Sequence, residues 1–169
     1  MDRLLADVRR ALAGADRPEL PPAPPPAAGG DPALLAERFG TELSRAGGRF
    51  LVAASEAEAR AAAGPGAPPD RADLLIAETG TVVRSYASAR ESRVSLWDER
   101  CVFLATSEAL VPDLATALAR LAPIHRAGRA YTVFVTGPSR TADIEKVLVI
   151  PAHGPRELVV VLVRAPAGC

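Results

Sequence analysis

Cysteine is almost missing: Cys101 and Cys169 are the only two in 169 residues. A pair so far apart supplies neither a disulfide framework nor the thiolate set of a zinc or iron–sulfur site. No metal ligation is therefore expected. Lysine is scarcer still, with Lys146 alone, and histidine is limited to His125 and His153. Arginine carries the positive charge, a bias that a GC-rich genome produces as readily as function does. Twenty basic side chains balance twenty acidic ones, so the chain has no net positive field to attract nucleic acid. Long hydrophobic runs are absent too. None approaches the roughly 20 residues that cross a bilayer, and the N-terminus lacks the apolar core of a secretory signal. Together these absences lead to the expectation of a cytoplasmic protein without a membrane span. What is plentiful is apolar residues, 49% of the chain, enough for one sizeable core.

Residues 1–16 read as an N-terminal helical arm, with Leu4, Leu5, Val8, Ala11 and Leu12 spaced along one helical face. Such an arm packs on its own domain, on a second copy or on a partner, so homo-oligomerisation stays open. Residues 17–30 contain PELPPAPPPAAGG, a proline-rich linker too stiff and polar to join a packed core. From residue 31 to 169 the pattern alternates helix and strand, the signature of an α/β domain. Asp31-Pro32 is an N-cap followed by proline at the first helical position. Leu34, Leu35, Phe39 and Leu43 are the expected inner face of that helix. Arg49 to Ala54 reads as the first strand, and Ser55 with Glu58 as a capping box opening a second helix.

Asp73 to Ala77 reads as a short buried strand ending in Glu78-Thr79-Gly80-Thr81, with Val82 to Tyr86 extended beyond it. Glycine between two threonines lets the backbone turn closely and leaves hydroxyls and amides at the strand end. That suits a ligand-lining loop, and equally a tight turn or bulge. Residues 88–100 are polar around Leu96 and Trp97. Arg90 and Arg93 there are either solvated or available to an anion, and Trp97 reads as a buried packing residue. Cys101 to Ala105 is a further strand. Ser107 or the Val111-Pro112 step opens a helix with Leu114, Leu118 and Leu121 inside. His125 falls in a loop and is given no role. Ala130–Val135, aromatic and β-branched, reads as a buried strand, and Glu157–Val163 completes the set.

The densest chemistry lies at Gly137-Pro138-Ser139-Arg140-Thr141-Ala142-Asp143-Ile144-Glu145, followed by His153-Gly154-Pro155. Glycine and proline break the Ala130–Val135 strand. Ser139 and Thr141 are residue types that cap helix starts. If either does so, Asp143 and Glu145 fall in the first turn, where the helix dipole stabilises carboxylates without any catalysis. Alternatively, the amides of 139–142 cradle an anion, with Ser139 and Thr141 as added donors. His153 is a general base near neutral pH or a turn-fixing residue.

GPSRTADIE followed by HGP and preceded by AETGT resembles the LUD (lactate utilisation) domain family, in its lactate-utilisation protein C branch. The resemblance runs from about residue 31 onward. It implies a three-layer αβα sandwich similar to the ribose-5-phosphate isomerase and CoA-transferase superfamily. It also implies an accessory role in oxidising L-lactate to pyruvate beside iron–sulfur partner proteins, since this chain alone lacks the cysteines for a cluster. Glu78, Asp143 and His153 are then the candidate catalytic groups. Thr79, Gly80, Thr81, Gly137, Ser139, Thr141 and Glu145 are the candidates for binding a small anionic ligand. Relatives commonly show Leu-Leu-Pro and then a histidine where this chain has Leu96-Trp97-Asp98 and Cys101. Two other functions fit the same residues: a stand-alone isomerase or transferase acting on a phosphorylated or CoA-linked substrate, and a carboxylate-sensing regulatory module.

Overall fold

The structure, a computed structural model, describes residues 6, 29–64, 68–96, 99–128, 131–138, 141–142, 148–149 and 155–164. The expected helical arm and most of the proline-rich linker lie outside these residues.

Helix α1 (Pro32–Arg45) starts as its sequence dictates. The Asp31 carboxylate accepts from the Ala33 amide at 2.8 Å, and Pro32 occupies the first turn, where its missing N–H costs nothing. Phe39 and Leu43 are fully buried and Leu35 is half-buried. Leu34, expected on the inner face, is 65% exposed. After Gly47-Gly48 the chain returns as β1 (Arg49–Ala53) and then α2 (Glu56–Ala63). Its capping box is formed: the Glu58 amide donates to Ser55 Oγ at 3.2 Å, and Glu58 Oε2 accepts from the Ala54 amide at 2.7 Å.

Two sheets follow. In the first, β1, β10 (Glu157–Val163), β5 (Arg100–Thr106) and β2 (Asp70–Arg71) lie in that order, all parallel. Their central strands are apolar on both faces, as parallel strands covered on both sides must be. In the second, the order is β6 (Leu110–Val111), β3 (Leu74–Ile76), β4 (Thr81–Tyr86) and β7 (Tyr131–Val135). There β4 runs antiparallel to both its neighbours, while β3 and β6 are parallel. A separate antiparallel pair joins β8 (Thr141–Ala142) to β9 (Leu148–Val149).

Side-chain alternation along the strands divides the core into three. Cys101, Phe103, Ala105, Leu158, Val160 and Leu162 of the first sheet meet Leu75, Ala77 and Val82 of the second, together with Phe39 and Leu43 of α1. On the far face of the first sheet, Val102, Leu104, Val159 and Val161 are covered by Ala59 and Ala63 of α2. On the far face of the second, Leu74, Ile76 and Val83 meet Ala117 and Leu121 of α4 (Leu114–Arg126). The α/β expectation therefore holds. Helices cover the outer faces, and the strand layer between them is split into two sheets that enclose part of α1.

Five local readings need correction. Residues 88–96 contain α3 (Ala89–Leu96). Its start is a Ser88…Glu91 capping box, with the Glu91 amide donating to Ser88 Oγ at 3.3 Å and Glu91 Oε2 accepting from the Ala87 amide at 3.0 Å. Helix α4 begins at an Asp113 cap, not at Ser107 or Val111, because the Asp113 carboxylate takes the Thr116 amide at 2.7 Å. Its buried face is Ala117 and Leu121 with Ile124 beside them, while Leu114 and Leu118 are 46% and 54% exposed. His125 lies in its last turn, not in a loop. Finally, β7 is an edge strand whose Tyr131 and Phe134 are exposed, rather than a buried strand.

A buried ionic cluster ties the sheets where the chain crosses from β2 to β3. The Arg84 guanidinium lies 3.1 Å from Asp70 and 3.4 Å from Asp73, and stacks 5.2 Å over the Tyr86 ring. Tyr86 donates its hydroxyl to Asp70 at 2.9 Å, and the Ser85 amide donates to Asp73 at 2.6 Å. Burial alone would lower the Arg84 pKa, but Asp70 and Asp73 outweigh it and hold the group above its ordinary value.

Candidate functional site

Two Thr-Gly steps meet at one end of the second sheet. Residues 77–80 form the turn of the β3–β4 hairpin, since Ile76 pairs with Thr81. AETGT thus forms a tight turn. It projects Glu78 and Thr79 to solvent and buries Gly80 and Thr81. The Ala77 and Glu78 amides donate to the carbonyls of Val111 and Pro112 at 2.9 and 3.1 Å, which fixes the turn against the end of β6. Because β7 pairs beside β4, Val82 opposite Val135, the residues that follow β7 arrive next to the same turn.

The contact is a chain of hydroxyls. Thr81 Oγ1 lies 2.6 Å from Thr79 Oγ1 and 2.6 Å from Thr136 Oγ1. Thr81 is 5% exposed, while Thr79 and Thr136 stand in solvent. Three hydroxyls sharing two hydrogen bonds use two of their three protons internally. When Thr81 accepts from one end and donates to the other, the O–H of the end that accepts is left to donate outward, and the cluster then offers a hydrogen-bond donor to an anion. Thr136 was not singled out from sequence. The available signal was the repeated Thr-Gly step, Thr79-Gly80 and Thr136-Gly137.

Both glycines are explained by their backing. Gly80 has φ +63 and Gly137 has φ +74, a region that side chains other than hydrogen disfavour. Both also press on the C-terminal end of α1. A methyl on Gly80 would overlap the Leu43 amide and lie 2.6 Å from Leu43 Cα, and one on Gly137 would overlap the Ala46 carbonyl oxygen. Helix α1 thus registers the two turns against each other and holds the hydroxyl chain between them.

The remaining candidates distribute as follows. Thr141 opens strand β8 by pairing with Val149, so it does not cap a helix. Ser139, Asp143, Glu145 and His153, along with Trp97, lie outside the described residues. Pro155 is buried, and the following amides of Arg156 and Glu157 donate to the Glu99 carbonyl at 2.7 and 3.1 Å as the chain enters β10. Arg90 is exposed in the first turn of α3. Cys101, at the place where relatives are expected to carry a histidine, is buried in β5. Among the described residues, no carboxylate or imidazole hydrogen-bonds to the threonine chain, and no cluster of His, Cys, Asp and Glu suits a metal. Nor, among them, is any helix long and apolar enough to cross a membrane.

A two-sheet α/β domain with paired Thr-Gly turns backed on its first helix is thus the class defined by the fold and site. The chain belongs to the LUD domain family, whose pattern matches residues 71–163, a span that holds both turns. It is 37% identical over 86 residues to Lactate utilization protein C 1 of Bacillus mycoides, covering 49% of this chain and 37% of that protein. It is 32% identical over 94 residues to Lactate utilization protein C of Oceanobacillus iheyensis, covering 54% of this chain and 40% of that one. The uncharacterized protein YkgG of Escherichia coli matches at 30% over 95 residues, 54% of this chain and 41% of that protein. The chain thus spans about two fifths of the length of these relatives. A crystal structure of a DUF162 family protein from Deinococcus radiodurans superposes with a TM-score of 0.58 at 18% identity, covering 79% of this chain and 98% of the other. That likeness supports the fold alone.

Proposed function

We propose that this protein is a component of an L-lactate utilisation system, with a small-carboxylate site at the paired Thr-Gly turns. The observation that carries the reading is the match to proteins named for lactate utilisation, together with a family span that includes both turns. In this reading the outward hydroxyl of the Thr79–Thr81–Thr136 chain donates to the carboxylate of lactate or pyruvate. Glu78, at the hairpin tip and next to Thr79 in the chain, is a candidate acid or base. Ser139, Thr141, Asp143, Glu145 and His153 complete the site from the following segment. Electrons from lactate oxidation pass to iron–sulfur partner proteins, because two cysteines, one of them buried in β5, make no cluster site.

The test is genetic complementation. Deleting the gene from its host should abolish growth on L-lactate while leaving growth on glucose unchanged. The wild-type gene should restore growth, and a Thr79→Val/Thr136→Val copy, isosteric but without the two hydroxyls that reach solvent, should restore it poorly. A deletion strain that grows normally on lactate would sink the proposal.

A further inference from the structure

At the other end of α1 the structure holds a cleft that the Thr-Gly turns do not touch. Its volume is about 610 Å³, within the range of small-molecule sites. Helix α1 has 14 residues and is therefore roughly 20 Å long. Gly80 and Gly137 back onto its last turn, whereas the cleft opens beside its first two. The floor is apolar, made by Ala36 of α1, Phe50 and Val52 of β1 and Leu162 of β10. Val52 and Leu162 sit one residue from the carboxyl ends of parallel strands that pair side by side, and Ser107 directly follows β5. This is the edge of an open parallel sheet where ligands bind in α/β proteins.

The polar groups on the rim narrow the ligand. Arg164, directly after β10, is the one cation lining the cleft among the described residues. Its main-chain amide donates to the Ala53 carbonyl at 2.9 Å, which fixes its Cα, and among the described residues its guanidinium has no ion-pair partner. Ser107 adds a hydroxyl and Glu37 a single carboxylate. An apolar floor with a guanidinium at its mouth that has no ion-pair partner among the described residues favours an amphipathic anion, since the apolar body gains by leaving water and the head pairs with arginine. Glu37 disfavours a second negative charge.

We propose that this cleft binds a monocarboxylic acid with a sizeable apolar body, a medium-chain aliphatic or aryl-alkyl acid, with Arg164 on its carboxylate. Such a ligand is larger and more apolar than lactate, and its site is independent of the threonine chain.

Titration calorimetry on the full chain tests this with sodium octanoate, 3-phenylpropionate, acetate, octyl phosphate and 1-octanol. Octanoate and 3-phenylpropionate should bind. Acetate, lacking the apolar body, should not, and octanol and octyl phosphate should bind at least tenfold more weakly. Arg164→Gln should erase the preference for octanoate over octanol, and Val52→Asp, at an exposed position on the floor, should abolish binding of both. Thr79→Val/Thr136→Val should leave octanoate affinity unchanged, which separates this site from the one proposed for lactate. Equal binding of octanoate and octanol by the wild type, full octanoate affinity in Arg164→Gln, or no binding of any of these compounds would each overturn the proposal.

Discussion

Gly80→Ala should destabilise the domain by about 3 kcal/mol or more. The added methyl meets two penalties. One is the left-handed backbone at φ +63, which costs a residue with a Cβ about 1–2 kcal/mol. The other is overlap with main-chain atoms of Glu42 and Leu43. Forced overpacking typically costs about 1–3 kcal/mol, and backbone in a helix gives way less readily than a side-chain tip. Against a total stability of about 5–15 kcal/mol, the loss is large, and for a chain of this size it corresponds to a fall in melting temperature of roughly 10 °C. Urea unfolding followed by circular dichroism measures it. Gly128→Ala, whose methyl would meet nothing within 4 Å although its φ is +94, should cost only the backbone penalty. If the two variants unfold at the same urea concentration, the packing of α1 against the turn is not what Gly80 provides.

The second large effect is expected at Arg84. Replacing it with methionine keeps the aliphatic bulk but removes the guanidinium that pairs with Asp70 and Asp73. Their side chains are only 22% and 15% exposed. Removing one partner of a buried ion pair costs about 3–5 kcal/mol, and the residual exposure places Arg84→Met near the lower end, about 3 kcal/mol at pH 7. The loss should come from charge. Adding Asp70→Asn and Asp73→Asn to the variant should recover much of the stability. No recovery in that triple variant would mean that arginine acts there by packing and not by charge.

Features set by neighbouring residues were legible in the sequence. The Asp31-Pro32 start of α1, the Ser55…Glu58 box of α2 and the stop at Gly47-Gly48 all form as local chemistry requires. The Ser88…Glu91 box carried the same signal for α3, masked by the polarity of the segment around it. Choices made by packing were harder to read. In α4, hydrophobicity points to Leu114 and Leu118, yet the sheet takes Ala117, Leu121 and Ile124. The small side chain at 117 lets the helix approach closely, and the spacing 117, 121, 124 is as regular as the leucine stripe. Arg84 within the apolar strand TVVRSY was a visible anomaly, but its partners lie at positions 70 and 73, across a sheet crossing that no local pattern announces.

The site was half legible for the same reason. Glu78-Thr79-Gly80-Thr81 stood out by its spacing, whereas Thr136 resembled one more β-branched residue at a strand end. Only the lateral pairing of β4 with β7 shows that Thr136 completes the hydroxyl chain. The glycines stood out for flexibility, and their neighbours show a further reason. Each lies where the last turns of α1 come too close for a side chain.

Calorimetric titration of L-lactate and pyruvate into the wild-type protein and the double variant Thr79→Val/Thr136→Val tests the central claim most directly. The paired-turn site predicts saturable binding of at least one of these acids, with a stoichiometry of one per chain. It also predicts at least a tenfold loss of affinity when the two outward hydroxyls are removed, since one charge-assisted hydrogen bond contributes about 1.5–3 kcal/mol. Equal affinity in wild type and variant, or no binding of either acid to the wild type, would contradict it.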